Sequence, residues 1–318
     1  MTRMFSFDEA VAAVNGTVVN RKGVIGGTLF ITGVSSDVRT VEEGNLFFVL
    51  KKDTFVGNDQ IASAVAKGAC AVVVNSMTKV PDYGIGIVVK DTSKALADLA
   101  EHYRYKIGAK VITVTDSDPA GACSMIAAAL SPSFKIWSTG NSLPGTILSA
   151  PQDTRVLVIA SDPEEDIRIS SPDIAVIPCS SGDGNMDKDK IKDISSRIIN
   201  SLGPNGILIV NGDDDFLFGH VRNTIPINNG LVAVSAGDRL KGGVKNCPVC
   251  VNASGVKGNN GTDFDVAVTV GDKESSLKGV HITKSGLNNV RNACFAIMCA
   301  NLLNADADKA LEALALND

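Results

Sequence analysis

The segment VITVTDSDPAGACSMIAAALS (Val111–Ser131) joins a strand-like run to a helix-like one. Such turns gather anions because a helix start presents unpaired N–H groups. Cradling nucleotide phosphates there takes glycines for close backbone approach, a lysine on the β- and γ-phosphates and a Ser or Thr for Mg2+. Asp116, Ser117, Asp118, Pro119, Ala120 and Gly121 occupy the turn instead. Two carboxylates oppose an anion, Pro119 withdraws one backbone donor, and Ala120 and Gly121 bring neither cation nor hydroxyl. A carboxylate about 4 Å from a phosphate oxygen costs on the order of 4 kcal/mol at an effective dielectric of about 20. That is roughly three decades of affinity. The segment reads as a degenerate phosphate turn with no catalytic or metal-holding residue. Asp116 and Asp118 as a cation pair are a weaker reading, since neighbouring carboxylates are common in turns.

Other chemistry-bearing residues are sparse. Cys247-Pro-Val-Cys250 is a CxxC pair, but a zinc ribbon needs a second pair and none follows. His102, His220 and His281 show no HxH or HxxxH spacing, and no Gly-x-Ser-x-Gly arrangement occurs. Asp183, Asp187 and Asp189 with Lys188 and Lys190 form a charge run of the kind that starts a solvated helix. Lys and Arg total 30 against 35 Asp and Glu, a net charge of -5, which argues against a nucleic-acid binder or an anionic membrane surface as partner. One Trp and 5% aromatics argue against base-stacking platforms. No run reaches the ~20 apolar residues of a membrane span. The first residues, Met1-Thr2-Arg3-Met4, lack the apolar core of a signal peptide. The seven cysteines are an odd number, mostly in apolar runs, and read as reduced core residues of a cytoplasmic protein.

The elements that must position these residues divide into two textures. Up to Gly108 the chain alternates short elements. Ser6 and Glu9 form a capping box before Ala10–Val14, and β-type runs lie at Leu29–Val34, Leu46–Leu50, Ala71–Val74 and Ile85–Val89. A helix pattern covers Ile61–Lys67, and Thr92 is expected to cap a helix with Leu96, Leu99, Ala100 and Tyr103 on its apolar face. From Lys110, continuous apolar runs appear at Val111–Thr115, Arg155–Ala160, Asp173–Pro178 and Gly206–Asn211, as in a parallel sheet buried on both faces. Helix patterns separate them at Ala122–Leu130 and at Ile191, Ile194, Ile198 and Leu202. Leu231–Gly279 reads as a small antiparallel excursion, and helices are expected at Val290–Leu303 and Asp306–Leu316. The fold class is α/β: a small α/β domain at 1–108, then a doubly wound domain at 109–318.

Several segments resemble the Mur ligase family, above all its D-alanyl-D-alanine-adding branch. GVSSDVRTVEEGNLFFVLKKDTFVGNDQIASAVAKGACAVVVN (Gly33–Asn75) resembles the family's uridine-nucleotide domain, and DTSKALADLAEHYR (Asp91–Arg104) the helix leading into its central ATPase domain. SPDIAVI (Ser171–Ile177), LGPNGILIVNGDDDFL (Leu202–Leu217) and GLNNVRNACFAI (Gly286–Ile297) resemble later central-domain segments. By that resemblance Ser35, Asp37 and Arg39, then Gly57, Asn58 and Asp59, are the UDP-sugar contacts, with Val38 in place of a hydroxyl residue and Asn58 where His is frequent. The other reading of Asp37–Arg39 is a turn with a surface ion pair.

The same resemblance implies that the chemistry is stripped. Pro119-Ala120-Gly121 stands where the family has Gly-Lys-Thr/Ser, and Ala160 where it has an Mg2+-binding Glu. The family's His turn has no counterpart in CSSGDGNM (Cys179–Met186), and its carbamylated Lys falls near Ser195. Asn211, Asp213–Asp215, Asn289 and Asn292 remain as a vestigial nucleotide-base site, or as turn and capping residues. The family's C-terminal ligase domain would begin after Asp306–Leu316, so its absence is expected. These features together imply a catalytically inactive relative that binds no ATP or Mg2+. Its expected partners are a UDP-N-acetylmuramoyl-peptide, or another protein at the surface left by the third domain. The alternatives are a divergent ATP-dependent ligase and an assembly subunit without a small ligand.

Overall fold

The computed structural model describes residues 3–20, 29–50, 58–76, 80, 82, 84–139, 143–161, 171–179, 187–237, 247–258 and 261–317. The chain divides into two compact units, Met1–Ile107 with Ile147–Gln152, and Gly108–Thr146 with Asp153–Asp318.

The first unit runs β1 (Phe5–Ser6), α1 (Phe7–Ala13), β2 (Thr17–Val19), β3 (Phe30–Ile31), β4 (Gly33–Ser35), a 3-10 turn (Val38–Thr40), β5 (Asn45–Phe48), α2 (Asn58–Ala66), β6 (Ala71–Val74), β7 (Gly86–Val88) and α3 (Thr92–Ile107). Its five-stranded sheet has the order β2-β7-β6-β5-β4, parallel except for β2. Every residue of β5 and β6 is buried, which is why these strands lack alternation. Ser6 accepts the Glu9 N–H at 3.2 Å while Glu9 accepts the Ser6 N–H at 3.3 Å, so the capping box forms. Glu9 also takes His102 at 2.9 Å and Lys106 at 2.8 Å, tying α1 to α3. The cap of α3 is Asp91 rather than Thr92: Asp91 Oδ1 accepts the N–H groups of Ser93 and Lys94. A carboxylate at that position adds a full charge to the helix start, whereas Thr92 is already inside the helix. Gly108 ends α3 with φ +67, a left-handed conformation that a side chain would strain.

The second unit contains β8 (Lys110–Thr115), α4 (Ala120–Leu130), β9 (Ile136–Thr139), α5 (Leu143–Ser149, shared with the first unit), β10 (Val156–Ser161), β11 (Ile174–Ile177) and α6 (Lys188–Ser201). It continues through β12 (Ile207–Asn211), α7 (Asp215–Thr224), β13 (Gly230–Ser235), β14 (Val249–Lys257), β15 (Thr262–Val270), β16 (Lys273–Ile282), α8 (Leu287–Leu302) and α9 (Ala307–Ala315). Nine strands form one sheet in the order β16-β15-β14-β13-β12-β11-β8-β10-β9. The region expected as a separate antiparallel excursion extends this sheet instead. β13 and β14 pair in parallel, and only β14–β15–β16 are antiparallel. The run from Val232 to Ser235 is buried at each residue, and burial on both faces selects a central parallel strand there.

One face of the sheet packs on α4, α8 and α9, through Val114, Met125, Val158, Phe295 and Leu314. The other packs on α6 and α7, through Ile177, Ile194, Ile198, Val210 and Leu217. Ala and Cys dominate the buried side of α8, and small side chains let it lie close to α4. The result holds the C-terminal ends of β8, β12 and β13 beside the first turns of α4, α7 and α8.

Candidate functional site

At the end of β8 the turn is organised around the carboxylate of Asp116. Its Oδ1 accepts the Ser117 N–H at 2.7 Å and the Ser117 hydroxyl at 3.2 Å. Burial raises the Asp116 pKa above the ordinary carboxylate value and the nearby Asp118 adds to the rise, although these hydrogen bonds oppose both. α4 begins behind Pro119, and no side chain caps it. Gly121 faces α8: a Cβ built on it would lie 3.2 Å from Asn292 Nδ2. Among the described residues the hydroxyls of Thr115 and Ser161, register partners on β8 and β10, are buried and without a hydrogen-bond partner. The Ser117 N–H of the turn is thus directed at a carboxylate of the chain itself.

At the end of β12 the acidic residues are fully engaged. Asn211 Oδ1 accepts the Asp213 N–H at 3.0 Å, which fixes the turn. Asp214 caps α7 through the N–H groups of Phe216 and Leu217. Asp213 accepts the Ser235 hydroxyl at 2.5 Å, the Ala236 N–H at 3.0 Å, and Arg291 Nε and Nη2 at 3.3 and 3.1 Å. Burial alone would raise the Asp213 pKa, but Ser235, Ala236 and Arg291 together hold it below the usual range. Arg291 Nη1 also donates to Asn288 Oδ1 at 2.9 Å. Asn289 Nδ2 donates to Ser285 O at 2.8 Å, while Asn292 lies toward the α4 turn. Reading the sequence picked out Asp213 and missed Arg291. Its only signal was a lone cation three residues after Asn288 on the same helix face.

In the first unit Ser35, Asp37 and Arg39 come together. Ser35 Oγ accepts the Asp37 N–H and lies 2.8 Å from Asp37 O and from Thr40 Oγ1. Asp37 accepts the Arg39 N–H at 2.9 Å and takes its guanidinium in a fork at 2.5–3.0 Å. The Arg39 side-chain hydrogen bond, with the Arg39 N–H, draws the Asp37 pKa down to about 2. Both side chains face solvent, Arg39 with 85% of its surface exposed. Lys67 Nζ binds the carbonyl oxygens of Val38 and Arg39 at 2.9 and 3.4 Å. Asp59 is exposed in the first turn of α2. Gly57 and the side chain of Asn58 lie outside the described residues.

The Mur ligase family, catalytic domain, matches residues 30–104. A UDP-N-acetylmuramoyl-tripeptide--D-alanyl-D-alanine ligase of Bacillus subtilis is 32% identical over 235 residues, which are 64% of this chain and 50% of that protein. The chain is Mur-ligase-like. It spans about half the length of that curated relative. Its fold is shared with MurF from Acinetobacter baumannii, with a TM-score of 0.76 at 20% identity over 99% of this chain and 68% of that one. MurF ligase from Thermotoga maritima, in complex with ADP, aligns with a TM-score of 0.67 at 18% identity over 89% and 65% of the two chains.

Within this Mur-ligase-like framework the remaining positions are quiet. Ala160 lines an open groove of about 800 Å3 with Pro119, Ala120, Ser138 and Asn317, on the α4 face of β9 and β10. Ser195 is buried and returns its hydroxyl to Ile191 O at 2.6 Å within α6. Asp187 caps α6, while Asp183 lies outside the described residues, as do the others of 180–186. Cys247 and Cys250 are buried free thiols, and burial raises the Cys247 pKa. His220 pairs with Ser196, and His281 with Asp263. Among the described residues no three His, Cys, Asp or Glu side chains gather as metal ligands, and no helix is long and apolar enough to cross a membrane.

Proposed function

We propose that this Mur-ligase-like chain is a pseudoenzyme related to peptidoglycan precursor synthesis, one that has lost ATP-dependent ligation and keeps a UDP-N-acetylmuramoyl-peptide as its ligand. The observation that carries the loss is the carboxylate of Asp116, which accepts the N–H and the hydroxyl of Ser117 at the place where an anion's oxygens would need donors. Asp118 brings a second carboxylate, Pro119 has no N–H, and Ala120 and Ala160 offer no cation or metal ligand. The residues of this turn do not fit Mg2+–ATP, so no phosphoryl step is routed through it. Support for the retained ligand is the exposed Arg39 of the first unit and the substrate that names the curated relative. Arg39 would pair with the diphosphate at the cost of its fork with Asp37.

The chemistry splits cleanly in an assay. Titration of the protein with UDP-N-acetylmuramoyl-tripeptide in a calorimeter is expected to give saturable binding. Phosphate release with ATP, Mg2+, that tripeptide and D-alanyl-D-alanine is expected to stay at background. Release above background supports the second reading, a divergent ligase, which the 32% identity to a curated ligase favours. No binding of the nucleotide sugar removes the ligand from the proposal and favours a protein partner.

A further inference from the structure

At the strand ends of β12 and β13 the carboxylate of Asp213 is met by the chain's own Arg291. Ligands of open α/β sheets sit outside the C-terminal ends of the strands. In this unit that edge is formed by Asn211 on β12 and Ser235 on β13, with the first turns of α8 beside them. A nucleoside there would need a carboxylate for its ribose hydroxyls and amide groups for its base. A carboxylate offers about four acceptor directions. Asp213 receives Ser235 Oγ on Oδ1, and the Ala236 N–H and two donors of Arg291 on Oδ2, so four donors of the chain itself already meet its carboxylate. Arg291 also binds the Asn288 amide, and Asn289 turns its own amide to Ser285 O. The pair is only 13% and 23% exposed, so opening it would strand a half-buried charge.

We infer that the Asp213–Arg291 pair is an autoinhibitory latch that bars nucleosides from the strand ends of β12 and β13. This inference rests on the reading of the second unit as a disused nucleotide domain and adds how its base end is shut. Arg291 reaches Asp213 from α8 across 78 positions of sequence, so the latch also holds α8 to the β12–α7 turn. A side chain without the guanidinium leaves Asp213 with Ser235 and Ala236 alone, and frees the acceptor directions of Oδ2 that Arg291 occupies.

Adenosine is the probe, because it has no phosphate and ignores the Asp116 turn. Calorimetry is run on the wild-type protein and on Arg291→Met, with Arg291→Lys as the variant that keeps a cation beside Asp213. Arg291→Met is expected to bind adenosine at least about tenfold more tightly than wild type, ~1.4 kcal/mol, with Arg291→Lys in between. Equal or absent binding in wild type and Arg291→Met overturns the latch, as does tighter binding by the wild type, which would make Arg291 a ligand contact. If Arg291→Met does not give a cooperative melt, Arg291→Gln carries the same comparison. ATP–Mg2+ binding by the wild type would instead sink the stripped phosphate turn, so the two failures are separate.

Discussion

At the end of β8 a carboxylate next to a helix start is pushed up in pKa; at the end of β12 another is held down. Asp116 sits half-buried with the N–H and hydroxyl of Ser117 and a like charge at Asp118. Asp213 is comparably placed but is met by a hydroxyl, an N–H and a guanidinium, while its neighbour Asp214 is spent on capping α7. Residue type is the same and each lies in a strand-to-helix turn; the donors brought by β13 and α8 make the difference. The lesson is that an acidic strand end becomes a stabilising joint or a local liability according to what the rest of the fold delivers to it.

Breaking the satisfied end should have the largest effect. Asp213→Ala leaves Arg291 and the Ala236 N–H without their partner and is expected to cost about 2 kcal/mol, discounted from a fully buried pair for its partial exposure, read from urea unfolding. Because the folded pKa of Asp213 is depressed, its contribution is complete above the unfolded value of about 3.9 and is lost as pH falls through the folded one. The gap between wild type and Asp213→Asn should therefore shrink on acidification below about pH 4. Next in size, Asp214→Ala removes the cap of α7 and should cost about 1 kcal/mol.

The unsatisfied end should respond with the opposite sign. Asp116 has a raised folded pKa, so it destabilises as pH rises through the window above about 3.9. Asp116→Asn is expected to stabilise at neutral pH by on the order of 0.5 kcal/mol, with the gain vanishing below that window. A loss of stability at pH 7 would mean that Asp116 has a partner that matters more than its burial. The smallest stability effect belongs to the first unit: Asp37→Asn should leave the melting temperature unchanged, because its ion pair with Arg39 is solvent-exposed. Any change there should show in nucleotide-sugar affinity instead.

Much of this architecture is written in local pattern. The capping box at Ser6 and Glu9, the apolar runs of β8, β10, β11 and β12, and the 3.6-residue stripe of α6 follow from burial periodicity, and all form. β9 escapes notice because Ile-Trp-Ser-Thr is short and half polar, and α7 because its stripe is brief and interrupted by Gly219. β13 reads with the antiparallel strands in the sequence because Gly, Val and Thr composition does not report strand direction; only the partners on either side do. The turn at Asp116–Gly121 was legible because it is contiguous. The Asp213–Arg291 pair was not, since an Arg on a helix reads as a surface residue until the fold brings it to an acid 78 positions away.

The most direct test of the proposal that the turn at Asp116–Gly121 holds no nucleotide phosphate is a calorimetric titration of the wild-type protein with ATP and Mg2+. With Asp116 holding the Ser117 N–H and Pro119 lacking one, the heat should not exceed that of dilution. Saturable ATP binding, lost in a competition with ADP, would contradict the account and return the turn at Asp116–Gly121 to service as a nucleotide site.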